Sequence, residues 1–214
     1  MKYQLAIFDL DGTLLNTLDD LADSVNHVMD EFGFPGRSLT EVRSFVGNGI
    51  KKLIERSAPA DTSAEEIERM FEQFKVYYGA HCADKTKPYD GIMELLTDLK
   101  KQDVKLAVVS NKADYAVKAL CEQYFPGFFN EAVGERVGIA RKPAPDTVNE
   151  VLKILQIDKA QAVYIGDSEV DVQTAQNAGM DCIAVDWGFR DTEVLKEAGV
   201  ETIVSTPKDL MMYL

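Results

Sequence analysis

The sequence predicts an α/β fold, a doubly wound, Rossmann-like parallel sheet with an inserted all-helical cap domain. Two observations lead to this prediction. Short apolar runs of strand length alternate with helical patterns after about residue 88, which implies right-handed βαβ units and a parallel sheet. A similar apolar run at residues 5–8 opens the chain, yet only helical patterns follow it over about residues 16–80.

The first strand therefore finds its sheet partners only after residue 100, and the helices between them form an insertion. We expect residues 1–15 and 84–214 to form an α/β core and residues 16–83 to form a helical cap. An all-helical insertion beside a strand end that carries carboxylates is interpreted as a lid, which would close over a substrate and exclude water.

The individual elements follow from periodicity, caps and turn residues. In the insertion, helical spacing begins near Thr17 and again around Thr40, breaks at Gly47-Asn48-Gly49, and is followed by a capping-box pattern at Ser63. Beyond the insertion, helices are predicted at residues 91–101, 115–124, 144–155 and 170–178, and strands at residues 105–109, 129–133, 162–165, 182–185 and 202–204.

The composition is that of a globular protein, with 46% hydrophobic and 28% charged residues among 214. The net charge of −13 argues against nucleic acids and membranes as partners, because both require clustered lysine and arginine. Cys82, Cys121 and Cys182 lack metal-site spacing and indicate free thiols in a reducing compartment. No signal-peptide pattern and no membrane-spanning segment are found, so we expect a cytoplasmic protein. As to its assembly, we expect a monomer or a homodimer.

Unusual polar groups lie at four predicted strand ends. Their motifs are Asp9-x-Asp11-Gly12-Thr13, Ser110-Asn111, Arg141-Lys142-Pro143 and Gly166-Asp167-x-x-x-Asp171. In a doubly wound sheet such ends converge on one crevice, where ligands bind. The carboxylates suit a hard cation such as Mg²⁺, and the hydroxyl, amide and ammonium groups suit an anion. Together they favour phosphoryl transfer, in which positioning and charge neutralisation supply most of the catalysis.

Each motif also has a purely structural interpretation. Asp9 and Asp11 are compatible with a tight turn or a helix cap, and Ser110 with a cap of the following helix. Lys142 alone is compatible with a solvated loop, and Asp171 with the first turn of a helix. The buried strand before Asp9 favours the functional interpretation, because an unneutralised carboxylate at that place is costly.

The motifs carry a resemblance to a known family. FDLDGTLLNT, VVSNK, RKPAPD and GDSEVD are similar, in this order and spacing, to the four motifs of the haloacid dehalogenase-like hydrolases. The resemblance spans nearly the whole chain, and the helical insertion resembles the type-1 cap of that superfamily. At closer range, residues 18–26, VGNG at 46–49, KPAPD at 142–146 and WGFR at 187–190 resemble the phosphoglycolate phosphatases.

This resemblance implies roles for the acidic residues. Asp9 would be the nucleophile that forms an aspartyl phosphate. Asp11 would be the general acid that protonates the leaving oxygen and then the base that activates water. The Asp9 carboxylate, the Asp11 main-chain carbonyl and Asp167 would hold Mg²⁺, with Asp171 as a further ligand or a residue behind the ligands.

The resemblance also implies roles for the donor groups. Ser110, Asn111 and Lys142 would hold the phosphate oxygens, and Thr13 is assigned with them to substrate binding. Ser110 and Lys142 are counted with the catalytic residues as well, since Lys142 would offset the charge of Asp9.

The cap offers further candidates. Gly47-Asn48-Gly49 is either a helix-breaking turn or a loop whose main-chain amides reach the substrate, so Asn48 and Gly49 are candidate substrate-binding residues. Arg43 and Lys51 either contact a substrate carboxylate or belong to a solvated face.

The function that the resemblance implies is a Mg²⁺-dependent phosphatase acting on a small phosphorylated metabolite, with 2-phosphoglycolate as the best single candidate. The alternatives are a pyrophosphatase, a sugar-phosphate phosphatase and a β-phosphoglucomutase-like phosphotransferase. DGTLLN fits the phosphatases better, because the mutases usually carry an acidic residue where Asn16 lies. A binding protein without turnover is disfavoured, since all four motif acids, Ser110 and Lys142 are present.

Overall fold

A computed structural model describes residues 2–47 and 49–214, and the chain divides into two units. One unit comprises the residues up to Leu15 together with Pro88–Leu214, and the other comprises Asn16–Lys87. Each unit packs around a hydrophobic core of its own.

The strands, in chain order, are β1 (Leu5–Phe8), β2 (Leu15–Asn16), β3 (Lys87–Pro88), β4 (Lys105–Ala113), β5 (Glu131–Glu135), β6 (Ala162–Gly166), β7 (Asp181–Val185) and β8 (Thr202–Val204). The helices are α1 (Leu18–Glu31), α2 (Leu39–Phe45), α3 (Ile50–Ser57), α4 (Ala64–His81), α5 (Ile92–Lys101), α6 (Asp114–Tyr124), α7 (Asp146–Leu155), α8 (Glu169–Ala178), α9 (Thr192–Glu197) and α10 (Pro207–Leu210).

The predicted α/β fold with a parallel sheet is confirmed. Six strands form one sheet in the order β5-β4-β1-β6-β7-β8, and each pair is parallel. In the centre, Leu5 of β1 pairs with Lys105 of β4 on one side and with Ala162 of β6 on the other. All four residues of β1 are fully buried, as expected for a strand covered on both faces. The residues after β1, β4 and β6 therefore emerge beside one another.

One face of the sheet packs against α7 and α8. Leu5 and Ile7 of β1 share an apolar cluster with Val148 and Val151 of α7 and Ala175 of α8. Full burial of a branched or aromatic side chain of this size contributes about 1.5–3 kcal/mol. This packing fixes the position of the strands and hence of the residues that follow them.

The second unit is helical. Val28 of α1 and Phe74 of α4 are fully buried in its apolar core. Near the start of α1, the buried carboxylate of Asp20 accepts hydrogen bonds from the main-chain N–H groups of Lys85 and Thr86, at 2.8–3.1 Å. The two ends of the inserted segment are thereby joined within the unit.

Several predicted boundaries were wrong. β5 begins at Glu131 rather than at residue 129, because Phe129 packs edge-on against Phe125, with 5.7 Å between the ring centroids. α7 begins at Asp146 rather than at residue 144, because Pro145 disfavours a helical conformation at the residue before it.

The connections between the units also differ from the prediction. Leu15–Asn16 and Lys87–Pro88 pair as a separate two-stranded sheet, whereas only helix was expected from about residue 16. Strands of two residues are too short to give a periodic signal in the sequence.

Candidate active site

The turn after β1 is built around Gly12. The main-chain N–H of Asp9 donates to the carbonyl of Ile165 at 2.8 Å, which continues the pairing with β6 by one residue. Gly12 then adopts a φ of +87°, and a Cβ atom there would lie 2.4 Å from Oδ2 of Asp167. Only glycine combines this backbone conformation with so close an approach. The turn thus brings the first motif against the aspartate that follows β6.

Lys142 lies at the centre of a buried ionic cluster. Its Nζ atom is 2.8 Å from Oδ1 of Asp9, 2.7 Å from Oδ1 of Asp171 and 3.1 Å from the hydroxyl of Tyr164. The Tyr164 hydroxyl also donates to the carbonyl of Val109 at 3.1 Å. The buried Lys142 ammonium therefore contacts two buried carboxylates, those of Asp9 and Asp171.

Asn111 holds the main chain of Lys142. Its Nδ2 atom donates to the Lys142 carbonyl at 3.0 Å, and its Oδ1 atom accepts from the Lys142 N–H at 2.9 Å. The peptide bond between Lys142 and Pro143 is cis. Asn111 was predicted to bind phosphate oxygens; in this structure its amide positions the lysine of the third motif.

Asp167 is held by two neutral donors. The Thr13 hydroxyl donates to Oδ1 at 3.1 Å, and the main-chain N–H of Phe189 donates to Oδ2 at 2.7 Å. Burial raises the pKa of Asp167 well above its usual value, the Asp171 and Asp9 carboxylates add to the rise, and the two hydrogen bonds oppose it. Thr13 was predicted to bind substrate; its hydroxyl here fixes the orientation of Asp167.

Asp171 has both of the roles considered from the sequence, at the start of a helix and among the acids of the site. Its Oδ2 atom accepts from the N–H and the hydroxyl of Ser168, at 3.1 and 2.6 Å, at the start of α8. Its Oδ1 atom pairs with Lys142. The same side chain therefore caps a helix and takes part in the buried ionic cluster.

The charges of this cluster perturb one another. Burial raises the pKa of Asp9 to about 7 against the opposing effect of the Lys142 ammonium, and Asp171 adds to the rise. Burial alone would lower the pKa of Lys142, but the Asp171 and Asp9 carboxylates outweigh burial and leave it raised. The raised pKa favours the cationic form of Lys142, and the raised pKa values of Asp9 and Asp167 reflect burial of several acids around a single cation.

The second aspartate, Asp11, has a different cationic partner, which the sequence interpretation missed. Nζ of Lys112 lies 3.0 and 3.2 Å from the two carboxylate oxygens of Asp11, and the side chains are 6% and 19% exposed. β4 continues to Ala113, past its predicted end at residue 109, and its pairing with β5 is shifted between Val109 and Ala113. Such an irregularity changes the direction of side chains at a strand end.

The described residues include one group that suits a metal ion. Asp9, Asp167 and Asp171 each offer a carboxylate oxygen, and these three atoms lie within 4.8 Å of one another. Oδ1 of Asp9 is buried and, among the described residues, receives no well-aligned hydrogen bond, although Lys142 lies nearby. Three buried carboxylate oxygens so close together, with a single ammonium group beside two of the acids, fit a hard divalent cation such as Mg²⁺.

The structure brings most of the predicted site residues together in the α/β unit, namely Asp9, Asp11, Thr13, Ser110, Asn111, Lys142, Asp167 and Asp171. Arg43 lies in α2 and Gly49 immediately precedes α3, both in the helical unit. Lys51, also in α3, forms an ion pair with Glu68 of α4. Asn48 lies outside the described residues.

Sequence reasoning missed three groups besides Lys112, namely the Tyr164 hydroxyl, Gly188 and the main-chain N–H of Phe189. A Cβ on Gly188 would lie 2.4 Å from both Cβ and Oδ2 of Asp167, so this loop packs directly on the acidic cluster. The resemblance of WGFR at residues 187–190 indicated that this loop matters but not what it does. A main-chain N–H donor is present in every residue except proline, so the sequence does not reveal it.

The fold and the site define a class, that of α/β proteins with a buried acidic site at the carboxyl ends of parallel strands. The model of the haloacid dehalogenase-like hydrolase family matches residues 6–185 of the chain. The chain therefore belongs to the haloacid dehalogenase-like hydrolases, as the motifs predicted.

Relatives with curated names narrow the class. A phosphoglycolate phosphatase of Mesorhizobium japonicum is 32% identical over 206 residues, which cover 91% of this chain and 87% of that protein. A phosphoglycolate phosphatase of Psychrobacter arcticus is 34% identical over 197 residues, with 88% and 86% covered. The prediction of a phosphatase that resembles the phosphoglycolate phosphatases is confirmed.

Solved structures agree with this placement. A provisionally named phosphoglycolate phosphatase from Lactobacillus delbrueckii subsp. bulgaricus superposes with a TM-score of 0.95 at 40% identity, over 100% of this chain and 98% of that one. A predicted phosphoglycolate phosphatase from Haemophilus somnus gives a TM-score of 0.91 at 27% identity, over 100% and 98% of the two chains. Within residues 2–47 and 49–214, no helix is long and apolar enough to cross a membrane.

Proposed function

We propose that this phosphatase hydrolyses small phosphomonoesters through an aspartyl phosphate on Asp9, and that 2-phosphoglycolate is its best single substrate candidate. The observation that carries the proposal is the placement of Asp9 directly after β1, in contact with the Lys142 ammonium and within 4.8 Å of carboxylate oxygens of Asp167 and Asp171. The names of relatives about 30% identical to the chain support the choice of substrate.

In the first half of the reaction, a carboxylate oxygen of Asp9 attacks phosphorus while the bond to the leaving oxygen breaks. Asp11, two residues further along the chain, gives a proton to that oxygen, and the alcohol departs. The Lys142 ammonium offsets the negative charge of Asp9 and of the transferring group. The products of this half are the free alcohol and the aspartyl phosphate.

In the second half, Asp11 takes a proton from water as that water attacks phosphorus. The bond between phosphorus and the Asp9 oxygen breaks, which releases inorganic phosphate and restores the carboxylate. Ser110, a buried residue of β4, is proposed to donate its hydroxyl hydrogen to a phosphate oxygen during both halves.

The cofactor that fits this site is Mg²⁺. The carboxylates of Asp9 and Asp167 and the main-chain carbonyl of Asp11 are proposed to hold it, with Asp171 close behind them. When bound, Mg²⁺ supplies positive charge that keeps the buried carboxylates ionised and neutralises the phosphoryl oxygens. The proposal that residues 16–83 act as a cap, with Arg43, Asn48 and Gly49 in contact with the substrate, stays a prediction.

A panel of small phosphate esters tests this function. We expect the chain to release phosphate from 2-phosphoglycolate with Mg²⁺ and not with EDTA, and to rank it above pyrophosphate and sugar phosphates in kcat/KM. Asp9→Asn should abolish release. Asp103→Asn is the matched control, because Asp103 is exposed at a φ of +60° that asparagine tolerates. Undiminished release by Asp9→Asn, or release without any dependence on metal, would contradict the proposal.

A further inference from the structure

The two aspartates of the first motif have separate cationic partners. Asp9 faces Lys142, whereas Asp11 faces Lys112, at 3.0 and 3.2 Å from Nζ to the two carboxylate oxygens. A lysine side chain that is only 6% exposed has given up most of its hydration, which is costly unless a specific partner compensates. The compensation comes from both oxygens of one carboxylate, and the contact therefore constrains the orientation of that carboxylate.

The backbone around Lys112 explains how the pair forms. β4 and β5 pair in register up to Val109 and Val133, and pairing resumes only at Ala113 and Glu135. Four steps along β4 thus match two along β5, which leaves extra residues between Val109 and Ala113 out of the regular ladder. Within this stretch, the main-chain N–H of Lys112 donates to the Ser110 hydroxyl at 3.2 Å.

We propose that Lys112 is a positioning residue for the acid of the reaction. It holds the Asp11 carboxyl group in one orientation: when Asp11 acts as the acid, one oxygen keeps the contact with Lys112 and the other carries the proton that passes to the leaving oxygen. Lys112 therefore acts through Asp11 rather than on the phosphoryl group. This inference rests on the proposed function, in which Asp11 protonates the leaving group. It assigns to the VVSNK motif a second role, distinct from the phosphate contact proposed for Ser110.

The role predicts a dependence on the leaving group. Phenyl phosphate and 4-nitrophenyl phosphate have nearly the same shape, but nitrophenolate departs readily without a proton, whereas phenolate and alkoxides need one. Loss of a well-placed acid should therefore slow phenyl phosphate and propyl phosphate and spare 4-nitrophenyl phosphate. Because propyl phosphate carries no carboxylate, it also separates positioning of Asp11 from direct binding of a substrate carboxylate.

The test compares Lys112→Met, Lys112→Arg and Asp11→Asn on the three esters, and on 2-phosphoglycolate, under the same conditions. Methionine keeps most of the buried aliphatic volume of lysine, and thermal unfolding verifies that the variant folds. Lys118→Met is the matched control, since Lys118 is an exposed lysine paired with Asp114 at 2.7 Å on α6. We expect Lys112→Met to lose about 100-fold in kcat on propyl phosphate and phenyl phosphate, the scale of a misplaced catalytic group, and to stay within about threefold on 4-nitrophenyl phosphate.

The double variant tests whether Lys112 acts through Asp11. We expect Asp11→Asn with Lys112→Met to be no slower on phenyl phosphate than Asp11→Asn alone, because residues that act as a unit are not additive. Lys112→Arg should recover part of the lost rate, since arginine can also donate to both carboxylate oxygens.

The outcomes separate this inference from the proposed function. If Asp11→Asn discriminates between leaving groups but Lys112→Met slows all three esters equally, or none, the positioning role is overturned and the function stands. A loss by Lys112→Met on 2-phosphoglycolate alone also overturns it and marks a substrate contact instead. If Asp11→Asn slows esters with good and poor leaving groups equally, Asp11 is not the acid of the reaction, and the role proposed for Lys112 is overturned as well.

Discussion

The ammonium nitrogen of Lys142 lies 2.8 Å from Oδ1 of Asp9, and the two side chains are 4% and 12% exposed. The same nitrogen also serves Asp171 at 2.7 Å. Asp167, the third acid of the cluster, is held by neutral donors from Thr13 and Phe189. The cluster thus contains three buried acids and one cation, which contacts two of them, so it carries an electrostatic imbalance that a divalent cation would relieve.

This imbalance predicts the effect of Asp167→Asn on stability. Asparagine keeps an acceptor for the Phe189 N–H and offers its NH₂ group to the Thr13 hydroxyl, which can turn to accept it. We expect the variant to be at least as stable as the wild type in EDTA, because neutral asparagine avoids the cost of burying a negative charge or of taking up a proton at this position. Addition of Mg²⁺ should stabilise the wild type by about 2.7 kcal/mol at a hundredfold excess over Kd, and the variant by far less.

Thermal unfolding with EDTA and with Mg²⁺ measures both effects. Asp20→Asn is the control, because Asp20 is equally buried but accepts three hydrogen bonds from main-chain N–H groups. We expect Asp20→Asn to lower the stability of the protein and to leave the increase in Tm on addition of Mg²⁺ the same as in the wild type. A shift with Mg²⁺ in Asp167→Asn as large as in the wild type would show that the metal binds elsewhere.

Gly12→Ala should damage the site beyond its cost in backbone strain. The new Cβ would lie 2.4 Å from Oδ2 of Asp167, so the turn or the carboxylate must move. Gly127→Ala is the matched control: Gly127 has a φ of +69°, and nothing lies within 4 Å of its Cβ position. The free energy of unfolding should fall by about 1–2 kcal/mol in both variants, because alanine is strained in the left-handed backbone conformation. Only Gly12→Ala should also lose the stabilisation by Mg²⁺.

Chemical denaturation of the two variants, with and without Mg²⁺, checks this difference. Equal losses in both variants, with the effect of Mg²⁺ retained in Gly12→Ala, would mean that the contact between the first motif and Asp167 is not needed for binding of the metal.

The ion pair between Arg136 and Glu150 predicts a dependence of stability on pH. Its guanidinium donates to both carboxylate oxygens, at 3.1 and 2.5 Å, and these hydrogen bonds hold the pKa of Glu150 below its usual value. A lowered folded-state pKa means that the stabilisation is complete above the unfolded-state pKa of about 4.3. The stabilisation is lost as the pH falls below the unfolded-state pKa and through the lower pKa that Glu150 has in the folded state. The pair is about one-third exposed, so the contribution is below about 1 kcal/mol.

Denaturation of wild type and Glu150→Gln at a series of pH values measures this contribution. We expect the wild type to be more stable at neutral pH and the difference to vanish below the folded-state pKa. Glu201→Gln, an exposed glutamate, is the control and should show a smaller difference. A difference for Glu150→Gln that persists unchanged into strong acid would rule out the charge as its source.

The sequence allowed the sheet and its acidic edge to be predicted because local patterns determine them. A buried run that stops at Asp9 and another that stops before Asp167 place their carboxylates at neighbouring strand ends as soon as the strands are parallel. No long-range information is needed for that inference beyond the handedness of βαβ units.

The remaining contacts depend on geometry that no local pattern encodes. Lys112 reaches Asp11 where the pairing of β4 with β5 is irregular, and Asp167 is held by a main-chain N–H of Phe189, for which any residue except proline would serve. Tyr164 was predicted only as part of a buried strand, yet its hydroxyl contacts Lys142 at 3.1 Å. Such contacts depend on how segments distant in the sequence pack together, and the periodicity of hydrophobic residues does not predict that packing.

The most direct test of the account is to identify the residue that carries the phosphoryl group. Enzyme mixed with 4-nitrophenyl phosphate and Mg²⁺ is quenched in acid, and borohydride then reduces any acyl phosphate to an alcohol before peptide mass spectrometry. The account predicts homoserine at position 9, with a higher yield in Asp11→Asn, in which water attack is slowed. Unmodified Asp9 in both proteins during active turnover, or reduction at another aspartate, would contradict it.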